Sequence, residues 1–419
     1  MDLLIKKATI IHPNSKLNRK VRDIKIKDGI IEKIGRGLTS RAKVIEMSDL
    51  HVSVGWMDIG TQIGEPGYEF RETIRSVSKA AALGGFTAIA PFPNTLPVVD
   101  NKADIGYLKE RFTSRPVSVF PIAAVSVGAQ GKEMAELLDL ARAGAVAFSD
   151  GCHAIDNDKL ILLALQYLKR MEGLLIDNAS GVSIAPSATI NEGKVSAMLG
   201  LKGLPAVSEQ IRVYRNIALT EYTESRCLIH NISSSHSIPL LRKAKQKGLD
   251  VYASVPVLNL AYTEEENKHF NTNWKVFPPL RTGRDRASLL QALQSGIIDI
   301  VVSNHVPVEI EGKAVEFPYA DFGAIGLQTL FPVLRKATKS KVPLDDLISI
   351  LAYNPRKALG LRVPLLEEGS PAEITLFRPN SPWIFEEKHI ASLSKNSPLI
   401  GQTFPGHVLG TFHKNNLHL

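Results

Sequence analysis

The stretch VGWMDIGTQIGEPGYE, Val54 to Glu69, decides how the chain is read. Its first half is an apolar run broken only by Asp58, the pattern of a strand buried on both faces of a sheet. Its second half turns on Gly64, Pro66 and Gly67, residue types that end strands and open loops. Similar apolar runs recur at 85–92 (GFTAIAPF), 117–126 (VSVFPIAAVS), 144–150 (GAVAFSD), 173–179 (GLLIDNA), 225–233 (SRCLIHNIS), 249–255 (LDVYASV) and 297–304 (IIDIVVSN). Between most of them lie segments with apolar residues at helical spacing that end on glycine, such as 132–144, 238–248 and 286–296. Eight β-α units over roughly 300 residues predict an α/β fold of the (β/α)8 type, a TIM-type barrel. A doubly wound sheet is the competing architecture, but no Gly-x-Gly-x-x-Gly turn follows the first strand.

The two ends of the chain differ from this middle. Residues 1–52 hold short β-rich runs broken at Asp28-Gly29 and Gly35-Arg36-Gly37, and the same character returns at AEITLFRP from Ala372 and GHVLGTFHKNN from Gly406. The expected organisation is a barrel over residues 53–361, with one small β-sandwich-like domain built from 1–52 together with 362–419.

Of the 419 residues, 44% are hydrophobic and 22% charged, a globular balance that excludes global disorder. The net charge of +8 comes from scattered basic residues. This predicts a solvated basic surface and no nucleic-acid partner, while leaving room for a small anionic metabolite or an acidic protein. Two cysteines, Cys152 and Cys227, allow no zinc-ribbon spacing and at most one disulfide. The N-terminal MDLLIKKATIIHPN has neither a long apolar core nor a small-residue cleavage site. The longest apolar runs fall short of the ~20 residues of a membrane helix. The expected compartment is the cytoplasm, with no membrane association.

A barrel carries its chemistry where its strands end. Those ends are Asp58, Gly60 and Gln62 for the first strand, Asn94 after the second and Asp150 at the fourth. Asp177 and Asn178 end the fifth, His230 the sixth, Ser254 the seventh, and Asn304 with His305 the eighth. Zinc takes imidazole, thiolate or carboxylate, usually three or more together. Here Asp150 and His230 are the donors that stand out. Asn, Gln and Ser neither offset a divalent charge nor depress the pKa of bound water.

At these positions the sequence resembles dihydroorotase of the long-chain type, in the amidohydrolase superfamily, over nearly its whole length. GWMDIGTQIGEPGYE is similar to the family's Gly-Phe-x-Asp-x-His-x-His-x-Arg-Glu-Pro-Gly, and PFPNTLPVVD to its Met-Pro-Asn-Thr-x-Pro. NEGKVSAMLGLKGLPAVSE, LIHNISSSHSIPLLRKAKQKG, VFPPLR, SNHVPVEIEGK, GAIGLQT and GSPAEITLF follow in family order. The resemblance implies that the metal-binding His-x-His pair falls on Gly60 and Gln62. The substrate-gripping arginine falls on Gly64, the fifth-strand histidine ligand on Asn178 and the catalytic aspartate on Asn304. The histidine after Ala-Pro falls on Val308, and an asparagine near the substrate ring on Phe277. His230, the Asp150 region and Asn94, a family substrate contact, are retained.

This pattern implies a dihydroorotase-like pseudoenzyme with no resident cofactor and no catalytic residue in place. The resemblance further implies a structural or regulatory role in pyrimidine biosynthesis beside aspartate carbamoyltransferase, and a homodimer. Two alternatives stand beside it. One is a working cyclic amidohydrolase, interconverting carbamoyl-aspartate and dihydroorotate, with zinc at an atypical site of His230 and Asp150 or with no metal at all. The other is a metabolite-binding protein that uses Asn94 and nearby amides. Plainer roles also exist for each residue: His230 and His305 as hydrogen-bonded core groups, Asp150 as a loop anchor and Asn94 as a turn former. Glu65 and Glu69 read as backbone anchors, and His236 as part of a helix start capped by Ser233–Ser235.

Overall fold

Eight parallel strands form the centre of the molecule in this computed structural model, which describes every residue except Asn14, Ser180, Val182 and Ser340. They are Trp56–Thr61, Phe86–Pro91, a third strand in two pieces (Ser118–Val119 and Ile122–Ala123), Ala147–Phe148, Leu174–Asn178, Arg226–His230, Val251–Pro256 and Ile300–Val302. The first two are buried at every position, as continuous apolar sequence requires. The third strand pairs with the second through 118–119 and with the fourth through 122–123. Pro121 lies at the break, where a residue without an N–H cannot continue a ladder.

The barrel closes between its first and eighth strands. The Asp58 carboxylate accepts from Ser303 N at 2.8 Å and Ser303 Oγ at 2.7 Å, and Gln62 N donates to His305 O at 3.1 Å. Alternate residues fill the interior: Met57 and Ile59, Ala88 and Ala90, Ile122, Ala147, Leu174 and Ile176, Leu228, Ile300 and Val302. The barrel is therefore a packed core, and only its upper rim is free for a site.

The termini meet in one eight-stranded sheet. Ile374–Ile384 pairs antiparallel with His51–Val54, Ile374 opposite Val54. The first strand, Leu3–Ile11, pairs along one edge with Lys43–Ile45 at its start and with His51–Val54 at its end, across an irregularity between Ile5 and Ala8. Such a change of partner along one strand is how a hydrogen-bonded sheet makes the two layers of a β-sandwich. Sheet and barrel share a core. Trp56 packs on Phe331 and Phe377 with ring centroids 5.0 and 5.6 Å away, and buried Arg356 joins Gly55 O to Glu373, each at 2.7 Å. Between its last long strands the chain leaves the sheet, and residues 392–396 bind the barrel rim.

Candidate functional site

An open cleft of about 440 Å³ lies at the upper rim. Four of the strand-end residues singled out in the sequence line it: Gly60, Gln62, Asn178 and Asn304. His230 sits directly beneath. A β-carbon placed on Gly60 would stand 2.9 Å from His230 Nε2 and 2.8 Å from the Phe92 ring. The imidazole meets that ring edge-on, with centroids 5.1 Å apart. On its other side, Nδ1 is 2.9 Å from Ser254 Oγ, which already accepts from Asn231 N. Burial pulls the pKa of His230 down to about 3, so the ring is neutral.

Asp150 and Asn94 are turned to structural work and do not line the cleft. Asp150 accepts from Val125 N at 2.9 Å, Ser126 N at 3.0 Å and Ser126 Oγ at 2.5 Å, which ties the fourth strand to the end of the third. Burial raises its pKa above the ordinary carboxylate value even so. The Asn94 amide holds the turn beyond it, donating to Asp150 O and accepting from Cys152 N at 3.0 and 2.9 Å. Asn304 donates to Phe277 O at 2.9 Å and accepts from Asn231 Nδ2 at 3.3 Å. His305 accepts from Gly326 N through Nδ1 at 3.2 Å and faces Glu72 through Nε2 at 3.4 Å. Glu65 accepts from Ile74 N and Arg111, Glu69 from Gly67 N, and Ser234 Oγ from His236 N.

Sequence reasoning missed Arg71, Phe92, Asn231 and Phe322, which line the cleft. Arg71 is held by Glu309 at 2.6 Å and Asp321 at 2.9 Å. Nothing local marks it, because both carboxylates lie more than 230 residues away in the chain. Phe92 was legible as the residue after an apolar strand, but not as the group that fills the space above His230.

A family model described as Dihydro-orotase-like matches residues 51–237. The chain is 36% identical over 415 residues to a dihydroorotase of Pelobacter propionicus, covering 98% of each chain. It is 37% identical over 411 residues to a dihydroorotase of Pelotomaculum thermopropionicum, covering 97% of this chain and 96% of that one. The chain belongs to the dihydroorotase family. An L-hydantoinase (dihydropyrimidinase) structure from Arthrobacter aurescens shares the fold, with a TM-score of 0.83 over 98% of this chain and 94% of that one at 20% identity.

The zinc that the dihydroorotase resemblance implies does not fit the residues present. Gly60 and Gln62 offer no imidazole, both Asp150 oxygens accept hydrogen bonds, and the His230 ring packs edge-on with Phe92. Among the described residues no three His, Cys, Asp or Glu side chains come together in a metal-binding group. The arginine position is closed as well. A β-carbon on Gly64, at φ +69°, would lie 2.3 Å from Glu72 O and 2.9 Å from Tyr68 O.

Proposed function

We propose that this dihydroorotase-family chain has lost metal-dependent ring hydrolysis. In this reading it serves pyrimidine biosynthesis in the cytoplasm as a structural or regulatory partner of aspartate carbamoyltransferase. The observation that carries it is the filled space above His230, where Phe92 and the Gly60 backbone leave no room for an imidazole pair. Proton transfer fails independently. The Asn304 amide has no basic lone pair near neutral pH, and both ends of it are already hydrogen-bonded. The identity to dihydroorotases supports the pathway, and the replaced residues support the loss of catalysis.

The purified protein is expected to carry substoichiometric zinc in elemental analysis. It should neither cyclise carbamoyl-aspartate nor hydrolyse dihydroorotate above the level of a His230→Ala variant. It should co-migrate with aspartate carbamoyltransferase of the same organism in size-exclusion chromatography. Stoichiometric zinc with turnover that His230→Ala abolishes would sink the inactive reading. Independent migration of the two proteins would sink the partnership. A second reading, metabolite binding, is favoured by the open 440 Å³ cleft with its amides and Arg71. Thermal-shift titration with carbamoyl-aspartate, dihydroorotate and orotate separates it from a purely structural role.

A further inference from the structure

The amides of the cleft leave one buried acceptor over. Phe277 O is a carbonyl and can only accept, so the Asn304 atom that meets it at 2.9 Å is Nδ2. Asn304 Oδ1 then faces Asn231 at 3.3 Å, and the Asn231 atom that meets it is Nδ2. This chain of bonds fixes the orientation of both amides. It leaves Asn231 Oδ1 with no donor among the described residues. Asn231 is 2% exposed and lines the cleft. A buried carbonyl oxygen without a donor carries a desolvation cost, and a molecule in the cleft that brings an N–H removes it.

The rest of the cleft offers flat apolar surface and no spare positive charge. Phe92, Phe277 and Phe322 line it, and the rings of Phe277 and Phe322 lie 5.7 Å apart between centroids. Arg71 and Asp321 are the charged side chains of the lining, and they pair at 2.9 Å. Glu309 takes Arg71 Nε at 2.6 Å. One guanidinium between two carboxylates has no net charge left for an anionic ligand. Lys275 and Lys313 are both buried and spend their protons on backbone carbonyls, those of Phe317 and Pro318 and those of Thr272 and Asp321. A carboxylate brought here would lose its water without gaining a partner. A flat uncharged ring would instead stack or pack edge-on against the phenyl groups.

We propose that the cleft takes an uncharged, flat nitrogen heterocycle of the nucleobase class, which gives a ring N–H to Asn231 Oδ1 and lies against the phenyl rings. This rests on the metabolite-binding reading and narrows it from anionic metabolites to neutral rings.

Isothermal titration of the whole protein with uracil, 1,3-dimethyluracil and orotate tests this. Orotate is the uracil ring with one added carboxylate, and 1,3-dimethyluracil is the same ring without an N–H. Uracil is expected to bind, and each of the other two to bind roughly 10-fold more weakly. Asn231→Gly should bring uracil down to the level of 1,3-dimethyluracil. Glycine suits the φ of +62° at this position, and far-UV circular dichroism checks the fold. Asp321→Asn, which takes one carboxylate from Arg71, should narrow the gap between uracil and orotate. If neither uracil nor orotate binds, the metabolite-binding reading falls together with this proposal. Orotate bound as tightly as uracil, or more tightly, overturns the proposal alone and leaves that reading standing. Equal binding of uracil and 1,3-dimethyluracil to the natural protein overturns it too, whether or not the glycine variant folds. So does a gap between uracil and orotate that Asp321→Asn leaves unchanged.

Discussion

At the scale of single residues, the site is decided by how little space surrounds Gly60. Its φ of +85° and the contacts of 2.8 Å to Phe92 and 2.9 Å to His230 both exclude a side chain. Gly60→His is therefore expected to destabilise the protein by about 3 kcal/mol, from backbone strain and overpacking together. Adding Phe92→Ala should recover part of this loss, and urea unfolding of the single and double variants measures it. A Gly60→His protein as stable as the natural one would contradict the geometry. His230 predicts a pH dependence. Burial holds its folded-state pKa near 3, while the ordinary value is 6.5. Below pH 6.5 the unfolded chain takes a proton that the folded one refuses. Stability present at neutral pH is then lost as pH falls from 6.5 towards 3, by up to about 1.4 kcal/mol per unit. Denaturation curves across that range should show this slope, and His230→Asn should flatten it.

At the scale of elements, the segment that crosses from the sheet to the barrel rim depends on one buried carboxylate. Glu72 accepts from Ser392, Ser76 and Leu393 N, and faces His305. Burial pushes its pKa up, but the bond and charge of His305, with the serine hydroxyls, outweigh burial and hold the group below its ordinary value. Glu72→Ala strands these donors. It is expected to cost about 3–5 kcal/mol, the range for breaking a buried charged network, and to open residues 386–402 to limited proteolysis. Mass spectrometry of the first cuts checks this, and initial cleavage elsewhere would argue against the tether. Helix limits show how tertiary contacts edit periodicity. The segment 286–296 forms Gly283–Gln294, starting early because Thr282 and Asp285 make a capping box. The segment 132–144 keeps only Leu137–Ala143, because Met134 bridges to Ser126 instead.

At the scale of the whole molecule, barrel and terminal sheet are mechanically one body. Trp56 lies between Phe331 and Phe377, and Thr375 Oγ1 donates to Gly85 O at 2.6 Å. Unfolding of either part exposes Trp56 and breaks the Arg356 network. Thermal unfolding is therefore expected to give coincident transitions by tryptophan fluorescence and far-UV circular dichroism. Two separated transitions would mean that sheet and barrel unfold independently.

What the sequence determined by itself is the eight-unit barrel and which residues end its strands, with no imidazole or carboxylate at Gly60, Gln62, Asn178 and Asn304. These follow from local periodicity and residue chemistry, which need no knowledge of distant contacts. The join between the chain's two ends was legible for the same reason, since both ends are β-rich. What only the tertiary structure decided is where each polar side chain spends its hydrogen bonds. Asp150 and Asn94 have the chemistry of a site, yet their bonds go to Val125, Ser126 and Cys152. Arg71 is placed by carboxylates far along the chain. The helix Ala206–Thr223 turns Ile211 and Tyr214 outward because Asp156, Asp177 and the backbone near Ser233 claim its polar face. A buried polar group must find a partner wherever one lies in space, and sequence separation carries no information about that partner.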